Sequence, residues 1–288
     1  MTPDRSQSVA VIMTTRNRHD DLTQTLQQLL DLGLGALPIY IIDDASDADV
    51  ADASVLARFE RLQMRRNARC EGLIVNRNEL ARWAVEDILV SLDDDSCFTS
   101  RPDFEALCRR FQEEPRLAGV EFDNFERPAS GGSATADAAQ VQAYTGFGHA
   151  IHRLRFLEIG GYRDYFIHMC EERDFGQRAW AAGYIVQKYK DIQVLHRRTP
   201  VARLTERNVF YLCRNTIIFN VSNFGWQRAV LLPGMALSML LGWRGTQGRR
   251  WAALKGIASG LAALLRHRQD YRPMSREQAR VYRSLPMS

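Results

Sequence analysis

Residues 88–96 read Ile-Leu-Val-Ser-Leu-Asp-Asp-Asp-Ser, an apolar run that ends in three consecutive acids. The run 88–92 has the length and composition of a strand covered on both faces, so the acids stand at a strand's carboxyl end. Adjacent carboxylates repel, and the arrangement costs stability unless a divalent cation or a basic partner compensates it. The same pattern occurs twice upstream. Residues 9–13 are continuously apolar and lead into the polar stretch 14–18, and residues 39–42 lead into Asp43-Asp44-Ala45-Ser46.

Between these strands the sequence reads helical. Leu22, Leu26, Leu29 and Leu30 recur at helical spacing behind Asp20 or Asp21 as N-cap, and Gly33 and Gly35 end the segment before Pro38. Residues 50–59 read as a helix, 61–64 as a weak strand, and 78–86 as a helix. The alternation predicts an α/β fold, a doubly wound, mostly parallel sheet with helices on both faces. Ligands bind such sheets at the carboxyl ends of the strands, where the three polar clusters should meet. Further on, 120–122 is apolar around Glu121, and 128–139 is poor in large apolar residues, which predicts a mobile loop, a candidate lid. A helix over 171–182 and a strand over 192–195, followed by His196, complete this part.

The chain has 288 residues and 45% hydrophobic content, enough for a substantial core. Its five cysteines form no Cys-x-x-Cys pair and are odd in number, which predicts free thiols in a reducing cytoplasm. The first apolar run is too short for a signal-peptide core or a membrane span. Net charge is +4, yet residues 226–288 hold eleven Lys or Arg against Asp270 and Glu277. Charge is therefore segregated toward the C-terminal end. No nucleic-acid partner is expected.

Asp93 and Asp95, two apart after a strand, can turn to one side and offer hard oxygen ligands to Mg2+ or Mn2+ holding a diphosphate. A basic partner is the competing explanation. Glu171-Glu172-Arg173-Asp174 opens a helix, where acids gain from the dipole; a carboxylate crowded by others also has the raised pKa of a general base. His196 is either a phosphate or ligand contact or a structural residue. Arg16, Arg18, Arg77, Arg197 and Arg198 are candidates to neutralise a diphosphate. His19, His149, His152 and His168 have no metal-ligand spacing. The absence of Gly-x-Gly-x-x-Gly, P-loop and Gly-x-Ser-x-Gly stretches argues against dinucleotide, ATP and hydrolase chemistry.

In order along the chain, Thr15-Arg16-Asn17-Arg18, Ile42-Asp43-Asp44-Ala45-Ser46, Arg77-Asn78, Leu92-Asp93-Asp94-Asp95, Gly160-Gly161-Tyr162 and Glu171-Glu172-Arg173-Asp174-Phe175 resemble the family 2 nucleotide-diphosphosugar glycosyltransferases of GT-A fold. The resemblance covers about residues 8–225. It implies an inverting transfer of a hexose or deoxyhexose from a UDP-, dTDP- or GDP-linked donor to an acceptor hydroxyl. It also implies that Thr15 and Arg18 border the nucleotide base, that Asp43 or Asp44 hydrogen-bonds it, and that Arg77 belongs to the donor site. Asp93 and Asp95 match the metal-binding Asp-x-Asp, with Asp94 near the ribose or sugar and His196 near the phosphates. Glu172 falls where the family usually has an aspartate as catalytic base, and Glu171 and Asp174 remain alternatives. Leu80 stands where members often have glycine.

Residues 229–243 are apolar, interrupted by Pro233-Gly234 and bracketed by Arg228 and Arg244, too short for a span and suited to an interfacial helix or hairpin. Leu254, Ile257, Leu261 and Leu264 are expected on one helical face flanked by Arg249, Arg250, Lys255, Arg266 and Arg268, a pattern drawn to anionic lipid. Packing on the catalytic part, or a dimer contact, is the alternative. Arg207, Arg214 and Asn215 resemble the Arg-Asn pair of bacterial members, which implies a peripheral membrane enzyme of cell-surface or lipid-linked glycan synthesis. The expected division is a catalytic domain over 1–225 and a helical region over 226–288. A sugar nucleotidyltransferase, which would carry a Gly-rich N-terminal loop, and a non-catalytic glycan-binding protein are the competing functions.

Overall fold

Side chains along β1 (Val9–Thr15) alternate between two apolar clusters: Val9, Val11 and Met13 enter one, Ala10 and Ile12 the other. In β2 (Ile39–Asp43), Ile39 and Ile41 likewise separate from Tyr40 and Ile42. A strand whose two faces are both covered has no polar alternation, which is why these runs are continuously apolar. This computed structural model describes residues 7–125, 136–197, 205–225, 230–241 and 249–287.

The first face is covered by α1 (His19–Asp31), α2 (Ala53–Leu56) and α4 (Phe104–Glu113) through Leu22, Leu26, Leu29, Val55, Leu107 and Phe111. The second is covered by α3 (Leu73–Trp83), α5 (Arg153–Ile159), α6 (Glu171–Ala181) and α7 (Glu206–Phe224) through Ile74, Leu80, Phe156, Phe175 and Ile217.

β1 pairs in parallel with β2 on one side and with β4 (Ile88–Ser91) on the other, and β3 (Leu62–Arg66) extends the sheet beyond β2. The chain therefore reverses its direction of spread at β1, and the carboxyl ends of β1 and β4 border the crevice such a reversal creates. Past β4 the sheet is mixed. β8 (His149–His152) runs antiparallel to β4 and to β6 (Leu117–Phe125); β9 (Ile185–His196) is parallel to β6 and antiparallel to β5 (Ser96–Phe98) and β7 (Gln140–Val141).

Several elements differ from expectation in extent. α1 starts at His19 with Arg18 as N-cap and no side-chain cap, so Asp20 and Asp21 lie in its first turn. The helix expected over 50–59 is one turn, α2. α3 starts at Leu73, after Gly72 at φ 98°, because its buried face includes the polar Asn76, Arg77 and Asn78 and so shows no apolar period. β9 begins at Ile185 rather than Ile192, since Lys188 is accommodated in the core by a 3.1 Å ion pair with Glu121. Most of the expected lid, residues 128–135, lies outside the described residues. All five cysteines are unpaired.

α8 (Leu232–Leu240), α9 (Arg250–Arg266) and α10 (Arg276–Ser284) pack on the remainder of the chain. α9 lies along α7 with Ala252, Ala253, Ile257, Ala263 and Leu264 in the second cluster. A Cβ at Gly260 would lie 2.8 Å from the Arg214 carbonyl oxygen, so glycine is what lets the two helices approach. The expected apolar face of α9 is split: Ile257 and Leu264 are buried, whereas Leu254 and Leu261 are exposed. Tyr282 of α10 donates to the Gln142 carbonyl at 3.0 Å, and Gln142 donates to that of Leu285 at 2.7 Å. Among the described residues no helix is long and apolar enough to cross a membrane.

Candidate active site

The acid triplet turns sharply after β4: the Ser96 amide donates to the Asp93 carbonyl at 3.0 Å and the Asp93 amide to Ser96 Oγ at 2.9 Å. β5 then pairs with the end of β9 in a register that sets Ser96 opposite His196. That register brings His196 Nε2 to 2.8 Å from Asp95 Oδ1 and 3.9 Å from Asp93 Oδ2. One ligand atom from each of Asp93, Asp95 and His196 lies within 4.8 Å of the others. Two carboxylates and an imidazole suit Mn2+ or Mg2+, and the His196 Nδ1 is buried without a partner.

Basic partners also neutralise the triplet, as the alternative explanation of the three acids expects. Arg77 Nη2 lies 3.0 Å from Asp93, and Arg18 lies 2.6 Å from Asp95 and 3.2 Å from Asp94. Thr15 Oγ1 donates to Asp94 at 2.8 Å. Burial, more than its acidic neighbours, pushes Asp94 up to about 7 despite Arg18 and Thr15. Burial works the same way on Asp95 but is outweighed by His196 and Arg18, which hold it at about 2.

A cavity of about 400 Å³ opens over this cluster, lined by Thr15, Arg18, Asp44, Asp93, Asp95 and His196 among others. Asp44 accepts from the amides of Glu71 and Gly72 at 2.8 and 2.9 Å and from Asn67 Nδ2 at 2.9 Å. Asp43 lies outside the lining and closes the turn after β2, accepting from the Ser46 amide at 3.0 Å and from Arg66. Arg16 lines the cavity. Arg197 does not: it donates to the Asp21 carbonyl at 3.1 Å and Thr25 Oγ1 at 2.6 Å, a structural role for a residue expected to meet diphosphate. Arg198 lies outside the described residues.

Arg77, buried in α3, joins this cavity to the acids of α6. Its Nη1 is 3.1 Å from Glu172 and 3.8 Å from Glu171, and its Nη2 donates to the Gly146 carbonyl at 2.5 Å. Glu171 Oε2 is buried without a partner. Burial first, then the charge of Glu171, pushes Glu172 up to about 8 although Arg77 opposes it; burial moves Glu171 upward too. A Cβ at Gly146 would lie 2.7 Å from Glu172 Oε1, so a side chain there would displace the Glu172 carboxylate. Asp174, the third candidate base, does not line the cavity. It is fully buried, 2.9 Å from Arg163 and 2.8 Å from Arg178, and accepts from Asn223 at 2.9 Å.

No pattern in the amino-acid sequence marks the loop before α6. Ile167, Met169 and Cys170 have φ of 64°, 71° and 71°, a region costly for side chains bearing Cβ, and Ile167 and His168 line the cavity. Asn215 Nδ2 donates to the carbonyls of Phe166, His168 and Met169 at 2.7–2.9 Å, and Arg214 to that of Tyr165 at 2.7 Å.

Residues 10–136 match the family model of glycosyl transferase family 2. This segment is similar to the family 2 glycosyltransferases. The solved structures similar to the chain share its GT-A fold. A mannosyltransferase from Pyrobaculum calidifontis, in complex with GDP-Man and Mn2+, is 16% identical with a TM-score of 0.57 over 98% of this chain and 80% of that one. GalNAc-T7 with UDP, GalNAc and Mn2+ is 15% identical with a TM-score of 0.63, over 92% of this chain and 57% of that one. S. aureus TarS 1–349 in complex with UDP-GlcNAc is 12% identical with a TM-score of 0.57, over 92% and 82%. No curated protein sequence matches the chain. Of the residues around the cavity and its acids, the family 2 segment supplies Thr15, Arg18, Asp44, Arg77 and Asp93 to Asp95, while Glu171, Glu172 and His196 come from beyond it.

Proposed function

We propose that the protein moves a sugar from a nucleoside-diphosphate donor to an acceptor hydroxyl with inversion, Glu172 acting as general base. The observation that carries this reading is the continuity of Asp93, Arg77 and Glu172, which ties a cation-type cluster in the cavity to a carboxylate of raised pKa. The complexes of the similar structures with GDP-Man, UDP and UDP-GlcNAc support a nucleotide-sugar donor.

Asp93, Asp95 and His196 would hold Mn2+ or Mg2+, which when bound supplies positive charge to the donor's diphosphate. Thr15, Arg18 and Asp44 border the nucleotide, and Asp94, fixed by Thr15, lies toward the ribose or sugar. Glu172 accepts the acceptor's proton on its carboxylate as the new glycosidic bond forms and the diphosphate leaves. Its raised pKa suits it to that task near neutral pH, and Arg77 keeps it beside Glu171 and aimed from α6. Asp43 and Asp174 support the fold around the site. Residues 1–225 form the catalytic part and 226–288 a helical region packed on it. We assign the acceptor to a lipid-linked or cell-surface glycan at the cytoplasmic face of a membrane.

The test is a panel of UDP-, dTDP- and GDP-sugars incubated with the full chain and Mn2+ or Mg2+, read as nucleoside diphosphate release. Metal-dependent release from one donor class, abolished by Asp95→Ala, is expected. Metal-independent release, or release unaffected by that substitution, overturns the reading.

A further inference from the structure

Fourteen large apolar side chains are exposed among the described residues, and eight of them fall between Val230 and Leu265. On α9, Trp251, Leu254, Leu261 and Leu265 are spaced by three, seven and four residues, which places them in one stripe along the helix. Trp251 is 75% exposed and Leu265 70%. The opposite side of α9 is the one buried against α7. On α8, Met235 and Met239 face inward while Leu237 and Leu241 stay exposed. Both helices are thus anchored on one side and apolar on the other. Packing on the catalytic part, the bland explanation of an amphipathic tail, uses up only the buried sides.

Charge identifies what the outer sides meet. The chain has no Asp or Glu between Glu206 and Asp270, whereas Arg249, Arg250, Lys255, Arg266 and Arg268 lie on α9 or at its ends. A second copy of this surface would set cation against cation, which disfavours a symmetric dimer. An apolar stripe with an aromatic residue near one end and cations around it matches the interfacial layer of a bilayer containing anionic lipid. Neither helix is long enough to span one.

We propose that the outer faces of α8 and α9 dock the protein on an anionic membrane surface. The anchorage runs inward without a break: α9 lies on α7, and α7 carries Arg214 and Asn215, which hold the 165–170 loop at the cavity. Docking therefore sets the orientation of the cavity relative to the bilayer. It holds whatever the donor sugar is, because it is measured without turnover.

The experiment is flotation of the full chain with vesicles of phosphatidylcholine alone or mixed with phosphatidylglycerol. The wild-type protein floats with the mixed vesicles, and Leu254→Glu with Leu261→Glu lowers bound protein by roughly tenfold at unchanged melting temperature. Arg249→Ser with Arg250→Ser, a variant that leaves the apolar stripe intact, weakens binding and its sensitivity to salt. Donor hydrolysis in solution stays at the wild-type rate in both, which separates loss of docking from loss of the catalytic site. Equal flotation of wild type and variants, or no flotation of the wild type, overturns the proposal. So does a dimer in solution that the glutamates dissociate, which would give the face to a second copy.

Discussion

The guanidinium of Arg77 stands 3.1 Å from the carboxylate of Glu172. Its other terminal nitrogen lies 3.0 Å from Asp93. One buried cation thus balances an acid from each half of the site, and its loss leaves carboxylates buried without a counter-charge. Arg77→Met should cost about 3–5 kcal/mol of stability, seen in denaturant melts, because an unpaired buried charge is the expensive product of breaking such a pair. The melts belong above pH 8, where Glu172 is ionised; at lower pH the glutamate holds a proton and the cost should shrink, and a cost that does not change with pH would contradict the pairing.

Glu172→Gln removes the proposed base but keeps the side-chain volume. Turnover should fall by roughly 10²–10⁴-fold while nucleotide affinity is retained, as single-turnover assays beside equilibrium binding would resolve. Asp174→Asn should behave in the opposite way. Its two arginines lose their counter-charge, stability drops by about 3–5 kcal/mol, and any activity loss tracks unfolding.

The same glutamate makes stability depend on pH. Its pKa rises from the ordinary 4.5 to about 8 in the folded protein, so the folded state holds a proton that the unfolded chain has released between those values. Its contribution is full below the lower value and is lost as pH rises through the upper one, with a slope of at most about 1.4 kcal/mol per pH unit. Melts of wild type across that range should slope downward, and Glu172→Gln should make the slope shallower while Asp94, pushed up to about 7, keeps its own share. The rate moves the other way, since the base must be unprotonated, and turnover should climb toward pH 8.

Asn215→Ala takes one donor from three carbonyls of a loop with three left-handed residues. The loop should become a site of proteolytic nicking, and donor affinity should weaken because Ile167 and His168 line the cavity. Stability should fall by about 1–3 kcal/mol. Limited proteolysis with and without nucleotide checks this.

Much of this arrangement was legible in the sequence where local chemistry governs it. The apolar runs before Thr14, Asp43 and Asp93 are strands because both their faces are covered, and the acids of Glu171-Glu172 open a helix at the expected residue. The start of α3 was not readable, since Asn76, Arg77 and Asn78 are buried by partners elsewhere in the chain. The contact of His196 with Asp95 depends on the register of β5 against β9, which spans about a hundred residues and leaves no local trace. The split of the α9 face was not readable, since Leu254, Ile257, Leu261 and Leu264 fall on one helical face in the sequence. The close approach to α7 at Gly256, Gly260 and the alanines draws Ile257 and Leu264 into the core and leaves Leu254 and Leu261 outward.

In the proposed reaction a divalent cation held by Asp93, Asp95 and His196 grips a diphosphate beside Glu172. Anomalous diffraction from crystals soaked with Mn2+ and a nucleoside diphosphate locates both ligands. A manganese peak between those three side chains is expected, with the diphosphate against it in the same cavity; manganese and nucleotide bound together elsewhere would sink this assignment.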